Sequence, residues 1–260
     1  MFSKEQNLGA SFKQYFEIVP ALNESLKTEA YRVRHAVYCE DLGFEPARTD
    51  KLETDQYDHS AIHLLIRDVR NNTFIGCTRI IRPSMNTDHG LLPFERTCAN
   101  TLDRAIINPA KLPRDKIGEV SRLAVVASFR RRKGEAVQPI NLSEDDYREA
   151  PLLRFPYIPL GLYFGTVELA RLNGIRVLFM LTEDRLANHF GRLGVQPELI
   201  GGPVEHHGTR FPSMIDTDGI ASGIRPILRP LYRCIAEDIQ AGLIHDRRKV
   251  ANAGSGSMQV

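Results

Sequence analysis

The sequence contains no CxxC pair, and its four cysteines, Cys39, Cys77, Cys98 and Cys234, stand far apart. A secreted disulfide scaffold needs denser and more regular cysteines, so that class is excluded. No apolar run approaches the roughly 18–20 residues of a membrane span. The opening MFSKEQNLGASFKQYF also lacks the apolar core of a signal peptide. Strong net charge is missing as well. The 34 basic and 32 acidic residues leave +2 over 260 residues, which excludes a basic nucleic-acid coat and makes any basic patch local. Neither GxGxxG nor GxxxxGK[ST] occurs, so nucleotide-driven chemistry is not expected, and no internal repeat is present. The remainder, 42% hydrophobic and 25% charged, is that of a soluble globular enzyme of one large or two small domains. The expectation is a reduced, cytoplasmic protein.

Hydrophobic periodicity predicts a first helix over about Asn23–Glu40, with Leu26, Ala30, Val33 and Val37 on one stripe and Asn23 or Ser25 as its cap. A polar, acidic loop follows from Gly43 to Asp58. Ile62–Val69 and Phe74–Arg82 read as a hairpin turning at Asn71-Asn72, and Ile117–Val126 as a third strand. A short helix is expected over Leu102–Ile107, fenced by Pro109 and Pro113. Arg130–Pro156 is too polar to bury and reads as an insertion or flap. Beyond it come a helix over Leu160–Leu172 stopped by Asn173-Gly174, the strand Arg176–Leu181 and a helix over Glu183–Leu193. Leu199–Val204 and Arg210–Ile215 read as a hairpin around His206-His207-Gly208. A last helix, Gly223–Ile244, reads as interrupted by prolines. This order is that of an α/β or α+β domain, a mixed sheet covered by helices.

Two polar constellations stand out. The first comprises Arg34 on the first helix, Asp55 and Asp58 in the loop, Arg79 on a strand, and Glu119 with Arg122 on the next. Charges on core strands must be paired, so these residues form either a structural lattice or a reactive site. Glu119 and Arg122 are three apart, and an ideal strand sends them to opposite faces; only a twist or bulge unites them. The second is Arg130-Arg131-Arg132-Lys133 directly after a buried strand, either a solvated charge run or a phosphate clamp. His206-His207 reads as a turn rather than a metal site, and no metal is expected. Cys39, Cys77 and Cys98 read as packing residues.

The segments YRVRHAVYCEDLGFE, ETDQYDHSAIHLLI, GCTRIIRP and EVSRLAV, in that order, resemble the acyl-homoserine-lactone (autoinducer) synthases and their N-acyl amino acid synthase relatives. They also resemble the acyltransferases that accompany the exosortase, PEP-CTERM surface-sorting system. The resemblance spans Glu17 to about Asp218. It implies a GNAT-like fold, a mixed, mostly antiparallel twisted sheet flanked by helices. On this reading residues 1–220 are the acyltransferase domain with a polar insertion near 130–156, 221–250 a helical extension and 251–260 a disordered tail.

The resemblance also implies roles. Asp55, Asp58, Arg79, Glu119 and Arg122 match the family's catalytic cluster. Arg34, Tyr38, Phe44, Leu123, Val125, Arg130, Arg131, Arg132 and Lys133 fall at the acyl-donor side. The donor would be an acyl thioester on the 4'-phosphopantetheine of acyl carrier protein, or on coenzyme A, used as co-substrate with no bound cofactor. The acceptor would be a small amine or amino acid. Glu119 would take its proton, and amides of Leu123–Val126 would meet the oxyanion. Leu160, Tyr163, Phe164, Val167, Leu178 and Met180 would line the acyl tail or simply form core. Phe44 replaces the synthases' tryptophan and the insertion is large, which points to an amino acid acceptor rather than S-adenosylmethionine. The alternatives are a lactone-signal synthase and a non-catalytic acyl- or amine-binding module.

Overall fold

The computed structural model describes residues 8–130, 156–195 and 197–255. Two elements precede the expected first helix, α1 (Leu8–Tyr15) and β1 (Phe16–Ala21). α2 (Glu24–Arg34) is capped by Asn23, whose Oδ1 accepts from the Leu26 amide at 3.0 Å. It runs on into a π-helical segment, His35–Asp41, so the expected single helix changes its winding midway. Such widened turns re-aim side chains and recur at functional sites. β2 (Ala61–Asp68) and β3 (Thr73–Ile81) form the expected hairpin, with Asn72 left-handed at φ 53.

The helix expected over Leu102–Ile107 does not form. Asp103 instead bonds the Ala105 amide at 2.9 Å in a turn, and Leu102 bridges to Gly201. The helix of this region is α3 (Pro93–Thr97), where Glu95 caps the Leu92 amide at 2.8 Å. β4 (Ile117–Val125) and α4 (Tyr157–Leu172) follow, and the latter ends at Gly174 with φ 74. β5 (Val177–Thr182) and α5 (Asp184–Arg192) lie close to expectation.

The expected terminal hairpin is more broken. β6 (Glu198–Leu199) and β7 (Val204–Glu205) are two short arms on β8 (Thr209–Asp216), whose long partner is β5. After α6 (Thr217–Gly223), prolines begin the last helix rather than interrupt it. Pro226 opens a 3-10 turn and Pro230 sits in the first turn of α7 (Arg229–Ser255), where its missing N–H costs nothing. Residues 251–255 continue α7 where a tail was expected, and 256–260 lie outside the described residues. The expected insertion also falls mostly outside them.

The sheet has eight strands in the order β1-β2-β3-β4-β5-β8-β6, with β7 on β8. Every pairing is antiparallel except β4 with β5. Side chains alternate between two faces. On the core face Ile18, Leu64, Ile66, Ile80 and Val125 pack with Phe12 of α1, Leu160 and Phe164 of α4, and Leu231, Ile235 and Ile239 of α7. The C-terminal helix is thus integral to that core. A β-carbon added at Gly165 would lie 2.6 Å from Leu64 Cδ2, so glycine there is what lets α4 settle onto β2.

The other face, here the site face, carries two smaller clusters. One joins the α2 stripe Leu26, Ala30, Val33 and Val37 to Leu65, Cys77 and Ala124. The other joins Phe94 of α3 to Ile81, Ile117 and Phe179. Charged residues lie between them.

Candidate active site

β4 contains the irregularity that its sequence required. Cys77 of β3 opposes Ala124 and Arg79 opposes Ser121, so Arg122 and Leu123 together face Thr78 alone. Arg122 takes φ 55. This is a β-bulge. It keeps Glu119, Ser121 and Arg122 on the site face and turns Leu123 and Val125 into the apolar core.

Around Arg122 a lattice of charge fills the site face. Arg34 pairs with Glu53 and donates to both Asp58 oxygens at 2.6 and 3.1 Å. Arg79 donates to Asp55 at 2.6 and 2.7 Å, to Asp58 at 2.6 Å and to Ser121 Oγ at 2.9 Å. Arg122 reaches Glu53 at 3.1 Å, Glu45 at 3.0 Å and Asp55 at 3.4 Å. The Asp55 amide donates to Asp58 Oδ2 at 2.8 Å, so the acidic loop folds on its own carboxylates. The geometry therefore unites Arg34, Asp55, Asp58, Arg79 and Arg122. It adds Glu53 and Glu45, which the sequence reading missed. Glu53 sits inside the ETDQYD run, and its signal was a third acid beside two already assigned.

The lattice has a sealed interior and an open rim. The side chains of Arg34, Arg79, Glu53 and Asp58 are buried, whereas those of Arg122, Asp55 and Glu45 are 21%, 24% and 33% exposed. Within the lattice only the rim groups are open to solvent. Three guanidiniums face four carboxylates, leaving one negative charge in excess. Burial opposes the charged form of Asp58, but hydrogen bonds from Arg34 and the charges of Arg79 and Arg34 hold it well below the usual range. Burial likewise opposes, and the arginines overcome, the ionisation of Glu53 and Asp55. His63, on β2 opposite Arg79, is buried and neutral, its pKa pulled down to about 4 chiefly by desolvation.

Glu119 differs in kind. It is buried at the N-terminus of α3, where Oε2 accepts the Phe94 amide at 2.7 Å. Desolvation pushes its pKa up to about 8, outweighing that hydrogen bond and the charges of Arg79 and Arg122. Unlike Glu53, Asp55 and Asp58, it holds a proton at neutral pH.

Glu119 also marks where the sheet opens. β4 and β5 pair only through Ile117–Val177, Gly118–Leu178 and Glu119–Phe179. Among the described residues the rest of β4 has no partner strand on that side. The Val126 amide bonds Ile75 O on β3 at 2.9 Å, so strand alternation aims the Val125 amide at the opening. Tyr38, brought round by the π-helical segment, donates to Leu123 O at 3.0 Å and lies under the Arg122 guanidinium, 5.3 Å from its ring centre. Phe44 stacks on His207 of the β7–β8 turn at 4.6 Å.

Other expectations meet different surroundings. Leu160, Phe164, Val167 and Leu178 are core residues, with Tyr163 bonded to Val195 O at 2.7 Å and Met180 packed on the same cluster. Arg130 pairs with Asp41 at the end of the π-helical segment at 2.7 Å. Arg131, Arg132 and Lys133 lie outside the described residues. All four cysteines are buried, and burial pushes the Cys77 thiol up to about 12 and Cys98 to about 11, as packing residues require. Among the described residues no His, Cys, Asp and Glu group is arranged to hold a metal ion, and no helix is long and apolar enough to cross a membrane.

Residues 33–138 match the acetyltransferase (GNAT) domain family. No curated protein matches the chain by sequence. Among solved structures the chain is similar to TofI in a ternary complex with an inhibitor and MTA. There the identity is 23% and the TM-score 0.51, over 84% of this chain and 96% of that one. It is similar to the CoA-dependent acyl-homoserine lactone synthase BjaI at 20% identity and TM-score 0.51, over 86% and 89%. It is similar to FeeM, an N-acyl amino acid synthase from uncultured soil microbes, at 13% identity and TM-score 0.50, over 80% and 94%. At such identities the likeness is one of fold. The chain has the GNAT-like fold, a mixed and mostly antiparallel sheet between helices, and the matching stretch holds every residue of the charge lattice.

Proposed function

We propose that the protein is an N-acyltransferase. It would move a fatty acyl group from the thioester of acyl carrier protein or coenzyme A to the amine of an amino acid, by direct attack. The observation that carries this reading is the opening between β4 and β5, with a proton-holding Glu119 at its foot and a negatively charged rim beside it.

The chemistry follows from those parts. An ammonium is drawn to Asp55 and Glu45. It must lose a proton before its lone pair attacks the thioester carbon. In its ionised form, whose share grows as pH approaches 8, Glu119 is suited to take that proton through one water on Oε1 while Oε2 keeps the Phe94 amide. The carbon–nitrogen bond forms, the carbonyl oxygen becomes an oxyanion, and the Val125 amide meets it. Collapse breaks the carbon–sulfur bond, the thiolate takes up the second proton shed by the newly bonded nitrogen, and Glu119 returns the first to solvent. No protein nucleophile is needed. Arg34, Arg79, Asp58 and Glu53 act as positioning residues, since their charged groups are taken up by one another and by the rim groups they hold. Arg130 to Lys133 would meet the donor's phosphate or an acidic carrier.

Support also comes from the likeness to FeeM and BjaI, which are described as an N-acyl amino acid synthase and a CoA-dependent lactone synthase. The higher identity to BjaI, 20% against 13% for FeeM, favours a second reading, an acyl-homoserine-lactone synthase. One experiment separates them. Purified protein is given long-chain acyl-CoA or acyl–acyl carrier protein with either the free amino acids or S-adenosylmethionine, and products are read by mass spectrometry. An N-acyl amino acid supports the first reading and a lactone the second. Folded protein that yields neither with any donor overturns both. Glu119→Gln should remain folded and lose at least 100-fold in kcat, on the order expected for a general base.

A further inference from the structure

The last paired residues of β4 and β5 are Glu119 and Phe179. On the other side of the opening, β5 ends at Thr182 opposite Phe211 of β8, so Glu183 and Arg210 stand side by side one step beyond. Phe179, Leu181 and Met214 belong to the site-face cluster. Alternation therefore puts Glu183 and Arg210 on that same face, across the opening from the β4 bulge. Glu183 forms an ion pair with Arg210 and fixes the plane of its guanidinium, which also donates to His207 O at 3.2 Å. Both side chains are largely enclosed, 12% and 17% exposed. Tyr38 is near enough to enter Arg210's electrostatic environment, and Arg122 and Glu45 enter that of His206. The Phe44–His207 stack ties the hairpin tip to the segment that follows Tyr38. The β7–β8 hairpin thus spans the mouth of the opening.

Charge decides what this wall can do. The three lattice arginines are saturated by four carboxylates, so the rim attracts an ammonium and repels an anion. An amino acid acceptor brings both. Its carboxylate needs a cation on the site face but outside the lattice, and Arg210 meets that description. A guanidinium presents five donors in a planar fork, more than Glu183 and His207 consume. Resting on the acceptor assigned above, we propose that the β7–β8 hairpin is the carboxylate-recognising wall of the acceptor site. Arg210 is the anion contact, His206 lies beside it, and the Phe44–His207 stack covers the bound zwitterion. The preferred acceptors are therefore α-amino acids rather than simple amines.

The test compares each protein L-amino acid with its carboxamide, which keeps the amine and side chain and loses the negative charge. Wild type, Arg210→Gln and Arg210→Lys are assayed for transfer, and titrated calorimetrically with the same compounds. For the best acceptor, wild type should favour the acid over the amide by about 100-fold in kcat/KM. In Arg210→Gln this ratio should fall about 10-fold or more, chiefly through KM for the acid, on the scale of a lost charged hydrogen bond. Arg210→Lys should recover part of it. Equal use of acid and amide by wild type, or an unchanged ratio in folded Arg210→Gln, overturns the proposal. If wild type transfers to none of these acceptors, the amino acid reading fails, and calorimetry alone decides the wall. Arg210-dependent binding of acid over amide then upholds it, and its absence overturns it.

Discussion

Against one face of the sheet α1, α4 and α7 lay an unbroken apolar core; against the other, two small apolar clusters are parted by a charge lattice. The faces share the same strands, and β4 serves both through alternate side chains. The core face gains stability from area, at roughly 25 cal/mol per Å² removed from water. The site face gives some of that up, because each buried ion costs several kcal/mol of desolvation that its partners must offset. A lattice without chemistry would be a poor exchange for hydrophobic packing. Its negative rim and its proton-holding acid fit a use beyond holding the sheet together.

The division can be broken hardest at Arg34. Arg34→Ala leaves Glu53 and Asp58 without their main partner, and should cost about 3–5 kcal/mol. For a domain of this size that lowers Tm by roughly 10 °C. A thermal melt within 2 °C of wild type, about 1 kcal/mol or less, would show that the lattice does not hold the face together.

Leu160→Ala makes the opposite cut. A cavity in the core face should cost about 2–5 kcal/mol and lower Tm. The kcat/KM of the folded fraction should not change. A drop in kcat/KM at a temperature where the variant is fully folded would mean that the two faces are not separable.

Glu119→Gln sharpens the comparison through pH. The folded chain keeps the Glu119 proton to about pH 8, whereas the unfolded chain releases it near the ordinary glutamate value of 4.5. Between those values the folded state binds more protons, so the contribution of Glu119 to stability falls as pH rises and is at its worst above pH 8. The glutamine variant, which does not titrate, should melt several degrees above wild type at pH 9 and close to it at pH 5. Wild-type kcat should rise with pH to a plateau above about 8. Parallel pH–Tm curves for the two proteins would refute the buried-acid assignment.

The smallest effect is expected at Tyr38, between the two regions. Tyr38→Phe removes the bond to Leu123 O and should cost about 1 kcal/mol. Differential scanning calorimetry resolves that difference; no change would mean that the bond does not hold the edge of the opening.

What the sequence disclosed follows the same division. The stripe Leu26, Ala30, Val33 and Val37, the Asn71-Asn72 turn and the Asn173-Gly174 stop are local signals, and each lies where its period or turn chemistry placed it. α1 and β1 are short and gain their place from α7, which lies more than 200 residues along the chain, so no local pattern marks them. α3 depends on Glu95 and on Glu119 from another element. Five members of the lattice were legible because a charge on a core strand needs partners. Glu53 and Glu45 were not, since an acidic loop looks solvated until the chain folds over it. Nor could sequence show that Phe44 meets His207, a contact between segments some 160 residues apart.

The extra residue at Arg122–Leu123 has a consequence for recombination among proteins of this fold. It shifts the parity of β4, so that odd-numbered positions serve the site face before it and even-numbered ones after it. Deleting Arg122 would restore the regular alternation and leave Leu123, Ala124 and Val125 on the faces they hold, whereas aligning a relative that lacks the extra residue without a gap exchanges inside for outside along everything downstream. Segments of β4 can therefore be traded between relatives only as blocks of matching parity, with the crossover kept off the bulge.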